Sequence, residues 1–287
     1  TFDTIVQIVG YCETEEEFAK YAGQIKARFE ELNRLYDIYY EYADCNNLKT
    51  VNDNAGIQPV EVSDEILDLI EFCCEWYEKT EGKVNIALGP VLSVWHKYME
   101  RYSADSTDAQ LPDPEELRAL LPLCNMQDII IDREAKTVYL AQKGMSLDVG
   151  AVAKGYAAQL ACQEAYQAGF HSFVISAGGN IVTMDPPLDG VRSGWGIGIQ
   201  DPFTAEELGG GNSIDVAYVN NTCVVTSGDY QRFYMVGDRR IHHIIDPDTL
   251  MPADYYRGVT VITADSGIAD LASTTLYTLP FERSKEM

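Results

Sequence analysis

The sequence predicts a mixed chain in which amphipathic helices are set among short antiparallel strand pairs, and three features predict it. Apolar side chains recur at helical spacing behind a Ser or Thr start signal from Thr14 to Leu35, Ser63 to Tyr77 and Ser266 to Leu279. Alternating apolar runs double back across polar or Gly turns at residues 128–140 and 232–245. Hydrophobic residues make up 46% of the 287, enough for a large core in one domain or in two closely packed lobes.

Each element has its local reason. Residues 2–9 (FDTIVQIV) are rich in β-formers. Thr14 with Glu17 forms a capping box, followed by Phe18, Tyr21, Ile25, Phe29, Leu32 and Leu35 on one helical face. Residues 36–54 carry clustered tyrosines and then an Asn-rich turn. Ser63 caps a helix that Gly82 ends, and residues 84–95 pass through the turn Gly89-Pro90 into another. Residues 103–115 read as a polar surface loop, with a short helix from about Glu115. Ser172–Ser176 and Ile181–Met184 are strands about the turn 177–180, and residues 195–202 alternate as a strand. Gly209, Gly210 and Gly211 mark a mobile loop, and residues 214–219 and 223–226 form a hairpin across Asn220-Asn221. Residues 257–263 are a strand before the last helix, which Ser266 caps.

Composition excludes several classes of function. Lys plus Arg number 21 against 45 Asp plus Glu, a formal charge of -24, which repels nucleic acid and anionic membrane surfaces. An anionic nucleotide would need local compensation from a cation and a few placed basic groups. Seven Cys, with Cys73 and Cys74 adjacent, form no plausible disulfide framework and no zinc spacing, so they read as reduced core residues. No apolar run reaches bilayer length. The first residue is Thr1 rather than Met, which suggests a removed leader.

The stretch 145–160 (MSLDVGAVAKGYAAQL) reads as strand, tight turn and helix. Free N–H groups and the positive dipole end at such a helix start favour anions, and Lys154 adds a full charge, so a phosphate-bearing ligand suits it. The alternative is a joint whose small residues only permit close packing. Asp270 and Thr274, four apart on the last helix, put a carboxylate and a hydroxyl on one face, a pair suited to Mg2+. His242 and His243, two of four His, fall at one strand end and point to opposite faces.

Residues 147–157 (LDVGAVAKGYA) resemble the central signature of the FAD:protein FMN transferase family, also called the ApbE or thiamine-biosynthesis-lipoprotein family. Four further blocks match in the same order: 84–95 (VNIALGPVLSVW), 176–181 (SAGGNI), 226–252 (TSGDYQRFYMVGDRRIHHIIDPDTLMP) and 269–276 (ADLASTTL). The resemblance implies an α+β fold, with mixed and antiparallel sheets and packed helices in an ApbE-like (T-fold-like) architecture enclosing FAD. It implies transfer of FMN from FAD to a Thr or Ser hydroxyl of an acceptor flavoprotein, with release of AMP. Mg2+ would be held by Asp270, Thr274 and the Ala151 carbonyl, with Ser273 placed to help, and His243 would be the general base. Ala87, Leu88, Gly89, Asp148, Lys154, Gly178, Gly179, Asn180 and Ile244 would line the FAD site, and Tyr40 or Tyr42 would pack on the flavin. The family's location implies an exported, lipid-anchored protein whose leader is absent here, with a cytoplasmic place as the alternative. The family's terminal strand would lie beyond Met287. An FAD pyrophosphatase and a non-catalytic flavin-binding protein are the rival readings.

Overall fold

A computed structural model describes residues 2, 4–103, 106–204 and 212–287. In chain order its elements are β1 (Val6–Gly10), α1 (Glu15–Leu35), α2 (Leu48–Asp53), β2 (Val60–Glu61), α3 (Asp64–Lys79), α4 (Gly89–Arg101), α5 (Pro114–Ala119), β3 (Ile129–Asp132), β4 (Thr137–Leu140) and α6 (Ala153–Gln167). Then follow β5 (Phe173–Ala177), β6 (Asn180–Met184), β7 (Trp195–Gln200), β8 (Ser213–Val219), β9 (Thr222–Gly228), β10 (Phe233–Val236), β11 (Arg239–His242), β12 (Gly258–Thr263), α7 (Ser266–Tyr277) and α8 (Phe281–Glu286). The expected α+β class with antiparallel sheets is what forms. The loop expected at Gly209, Gly210 and Gly211, and part of that over 103–115, lies outside the described residues.

The chain divides into two compact units, interleaved in sequence. The first comprises Thr1–Asn33, Ala151–Gly228 and Gly258–Thr274. Its frame is an antiparallel sheet in the order β1-β5-β6-β9-β12, against which α6 packs on β5 and β6. The β5–β6 turn has two residues, Gly178 and Gly179, at φ +55° and +97°, so it needs glycine and brings Asn180 opposite Ala177. A Cβ on Gly178 would also meet Thr4 Oγ1 at 2.1 Å. A second ribbon, β7–β8, buries Trp195 and Ile197 against Val224 of β9.

The second unit comprises Arg34–Gly150, Asp229–Arg257 and Thr275–Met287. Its core gathers Leu88, Val91, Trp95, Tyr102, Tyr234, Ile241 and Leu250 between α4 and the β10–β11 hairpin. The buried Trp95 Nε1–H donates to the Leu250 carbonyl at 3.0 Å, which fixes the rotation of α4. No helix among the described residues is long and apolar enough to cross a membrane.

Several local expectations are corrected. The Asn-rich turn contains a helix, α2, because Asn47 and Thr50 cap each other's backbone N–H groups. Residues 145–149 join no sheet. Their backbone is bonded piecewise instead: Asp148 N–H donates to Ile86 O at 2.8 Å, and Asn52 both accepts from Leu147 N–H (2.6 Å) and donates to its carbonyl (3.0 Å). The hairpin expected across Asn220-Asn221 does not form, since β8 pairs with β7 while β9 lies between β6 and β12. The two asparagines bond backbone outside the strands: Asn220 Nδ2 donates to Ser193 O, and Asn221 Oδ1 accepts from Asp185 N–H. Asp265 rather than Ser266 caps α7, its carboxylate accepting from Ile268 N–H at 2.9 Å. Ser63 precedes α3 without a side-chain cap bond.

Asn52 replaces a strand's ladder for 145–149 with one side chain. Asn52→Ala is expected to lower stability by about 1–3 kcal/mol, since it leaves both polar groups of Leu147 without their partner. Urea unfolding checks this; a midpoint equal to that of wild type would mean the segment is held otherwise.

Candidate active site

In the first unit, the group begins with the first turn of α6. Helix-start N–H groups lack intrahelical partners, and here Gly155 N–H donates to Asp270 Oδ2 at 2.8 Å. The carboxylate thus caps one helix from the body of another. Only glycine allows it: a Cβ on Gly155 would lie 2.3 Å from Ser266 O and 2.5 Å from Asp270 Cβ. Close packing at this joint is present, and a carboxylate stands at its helix start.

Asp270 is buried, and burial pushes its carboxyl above the usual range, with Lys154, Gly155 N–H and the Asn180 amide pulling it back. Asn180, on β6, spends its amide on that carboxylate. Its Oδ1 is buried with no partner among the described residues.

The hydroxyls beside Asp270 have traceable protons. Ser273 Oγ donates to Asp270 O at 2.9 Å, so it must accept from Ser227 Oγ at 2.7 Å. Ser227 also lies 3.4 Å from Thr274 Oγ1, leaving Thr274 to point its proton at Ser227 and keep its lone pairs as acceptors. Ser273 is fully buried and Thr274 half-buried. Thr274 is accordingly the hydroxyl better disposed to a ligand, and Ser273 the one that braces it.

By type, the carboxylate of Asp270, the hydroxyl of Thr274 and the carbonyl of Ala151 are the hard oxygen donors that Mg2+ takes. Among the described residues no three His, Cys, Asp or Glu side chains gather as a metal cage. A cation here would keep positions for water or phosphate, and its charge would relieve the buried carboxylate.

The second unit carries the other predicted residues. Asp148 is buried, with Oδ1 accepting Gly150 N–H at 2.9 Å. Ala87, Leu88 and Gly89 are buried, and the Ala87 N–H is taken by Asn85 Oδ1 at 2.8 Å. A Cβ on Gly89 would lie 2.3 Å from Ser146 O, so its bare face serves the packing of α4 on the 145–149 segment. Tyr42 is committed: its hydroxyl donates to Asp37 Oδ2 at 2.8 Å and Arg34 stacks on its ring. Tyr40 is 71% exposed, which makes it the better placed of the two for stacking on a ligand.

The two histidines part at the end of β11: His242 is its last residue and His243 lies just beyond it. His242 is buried and satisfied on both nitrogens, Nε2–H donating to Ala253 O at 2.8 Å and Nδ1 accepting Ile244 N–H at 3.2 Å. His243 is exposed, with Nδ1 3.2 Å from Arg232 O. A carbonyl only accepts, so Nδ1 carries the proton and Nε2 is the basic nitrogen. Ile244 is buried beside them. Asp229 pairs with Arg240 of the hairpin (3.2 Å) and with Arg257 (2.9 Å).

Sequence reasoning passed over Asn52, Ser227 and His96. Ser227 lay inside a matching block, immediately before Gly228, and its position there was a usable signal. Asn52 and His96 act through contacts distant in sequence, which no local pattern announces.

A mixed α+β frame thus carries a buried carboxylate with a lysine charge acting on it and three linked hydroxyls beside it. The chain belongs to the ApbE family, which it matches over residues 2–287. It is 32% identical over 271 residues to a Klebsiella pneumoniae (strain 342) protein named FAD:protein FMN transferase, covering 94% of this chain and 78% of the relative. A Treponema pallidum (strain Nichols) protein of the same name is 32% identical over 279 residues, covering 92% and 74%. Among solved structures, the ApbE protein of Thermotoga maritima superposes with a TM-score of 0.81 at 28% identity, covering 97% of this chain and 84% of that one.

Burial pushes His242 below the usual imidazole range, against the opposing pull of the Ala253 carbonyl and nearby carboxylates. A group lowered in the folded state stabilises above its unfolded pKa of about 6.5 and loses that contribution as pH falls through the folded value. The stability gap between wild type and His242→Gln is therefore expected to narrow between about pH 7.5 and about pH 5. Denaturant midpoints across that range check it, and a constant gap would contradict it.

Proposed function

We propose that this ApbE-family enzyme is an FAD:protein FMN transferase that moves FMN from FAD onto a Thr or Ser hydroxyl of an acceptor flavoprotein and releases AMP. The observation that carries the reading is the fixed tautomer of His243, together with the relatives' names. A pure flavin carrier needs no base, whereas a hydroxyl nucleophile does.

The chain's own residues have separable tasks. His243 Nε2 takes the proton of the acceptor hydroxyl as its oxygen attacks the FMN-side phosphorus. The pyrophosphate P–O bond breaks, and AMP leaves with the bonding electrons. Lys154 orients the phosphate end of FAD, Asn180 holds the Asp270 carboxylate through its amide, Asp148 accepts from the nucleotide, and Tyr40 stacks on the flavin. The backbone and small or apolar side chains of Ala87, Leu88, Gly89, Gly178, Gly179 and Ile244 act as walls and backbone contacts rather than as charged groups. Mg2+, when bound by Asp270, Thr274 and the Ala151 carbonyl with Ser273 bracing, would supply positive charge to the phosphoryl oxygens.

Expected outcomes distinguish these tasks. Asp270→Ala should lose metal-dependent AMP release by about 100-fold or more, while His243→Ala should lose FMN transfer by about 100- to 10,000-fold and keep FAD binding. The measurement is chromatography of AMP and FMN, with fluorescence of flavin on a Thr-bearing acceptor. Free FMN in equal amount to AMP, with none on the acceptor, would favour a pyrophosphatase. Unchanged transfer by both variants would sink the assignment.

A further inference from the structure

We infer that His96 is a positioning residue for Asp148, held in one tautomer by Tyr39; this rests on the reading of Asp148 as a nucleotide-binding carboxylate. His96 follows Trp95 on α4, whose rotation the Trp95–Leu250 bond fixes. Its Nε2 stands 3.7 Å from Asp148 Oδ2, and its Nδ1 lies 3.2 Å from the Tyr39 hydroxyl. The two rings are 6.1 Å apart and tilted by 49°.

Chemistry decides the direction of the chain. An ionised carboxylate only accepts, so the proton facing Asp148 sits on Nε2. In the neutral imidazole Nδ1 is then an acceptor, and the Tyr39 hydroxyl donates to it. The order runs Tyr39 O–H to His96 Nδ1, then His96 Nε2–H towards Asp148 Oδ2. On the other side Gly150 N–H already holds Oδ1 at 2.9 Å, and Asp148 N–H is tied to Ile86 O.

At 3.7 Å the last link is an approach rather than a formed hydrogen bond, as catalytic contacts often are without ligand. It has a definite use. In a chain of charge -24, a bare carboxylate beside an anionic nucleotide repels it. A donor on the far oxygen draws negative charge away from the ligand and sets the plane in which Asp148 accepts from the nucleotide's N–H or O–H groups. A histidine oriented on both nitrogens does this without adding a mobile charge.

The test is FAD affinity, read by flavin fluorescence, for wild type, His96→Leu, His96→Gln, Tyr39→Phe, Asp148→Asn and the double variant His96→Leu/Asp148→Asn, with thermal melting alongside. His96→Leu is expected to weaken FAD binding about 10-fold or more, because it removes the donor that approaches Asp148 Oδ2 and that bonds it once FAD is bound. His96→Gln, whose amide can still donate, should recover most of it, and Tyr39→Phe should fall between. The double variant should bind as Asp148→Asn alone, since a residue acting through another is silent once that partner is changed. Turnover at saturating FAD should change far less than KM.

Additive losses in the double variant overturn the inference, as does His96→Gln binding no better than His96→Leu. If His96→Leu does not fold, His96→Gln and Tyr39→Phe carry the test: wild-type affinity in Tyr39→Phe would then overturn it. Wild type that binds no FAD removes the transferase reading and this inference together, whereas wild-type binding with an additive cycle removes the inference alone.

Discussion

The carboxylate of Asp270 in the first turn of α6 is the contact on which the first unit's site depends. It serves the backbone by accepting Gly155 N–H and serves the site as a carboxyl that burial pushes above its usual range. These uses pull against each other, because a charge without water is costly and the few donors around it recover only part of the cost. Gly155 is the condition for the contact, since any side chain there would strike the backbone of α7. Lys154 supplies positive charge, and the orphaned Oδ1 of Asn180 marks where the site's hydrogen bonding is incomplete. Polar groups left short of partners are expected where a ligand completes them.

The hydroxyls around that carboxylate illustrate how proton counting assigns roles. Ser227, Ser273 and Thr274 look interchangeable as residue types. Their order of donation does not allow it: Ser273 is used up by Asp270 O and Ser227, while Thr274 keeps acceptor capacity. The same reasoning separates the histidines. His242 is consumed by the second unit's own backbone, and His243, one residue on, has its proton fixed at Nδ1 by Arg232 O. A buried imidazole with both nitrogens satisfied stabilises the fold, whereas an exposed one with a defined tautomer can exchange protons.

Acidity of the whole chain sets the boundary conditions for any such site. With 45 acidic residues against 21 basic ones, binding a nucleotide cannot rely on the general field and must be arranged locally. Lysine at a helix start and a far-side donor for Asp148 are the local measures available. The β10–β11 hairpin, which ends in the histidines, is steadied in turn by Asp229 between Arg240 and Arg257. Asp229 is buried while its arginine partners reach solvent, so losing both would leave a buried carboxylate unpaired.

The sequence by itself determined the elements whose cause is local. Helical spacing gave α1, α3 and α7, Gly turns gave β10–β11 and the two-residue turn at Gly178-Gly179, and ordered blocks identified the family. The two histidines do differ in burial, but His243 lies past the end of β11, so strand alternation is not the cause. Tertiary structure decided what depends on residues far apart in the chain. Met145–Val149 reads as a strand but is held by Asn52, and β8 reads as the partner of β9 but pairs with β7. The role of Gly155 is set by α7, 115 positions from its bonded partner Asp270. The physical reason is that periodicity and turn chemistry are written in neighbouring residues, whereas the choice of strand partner and the satisfaction of a buried polar group are settled by whichever distant group the packed fold brings within hydrogen-bond reach.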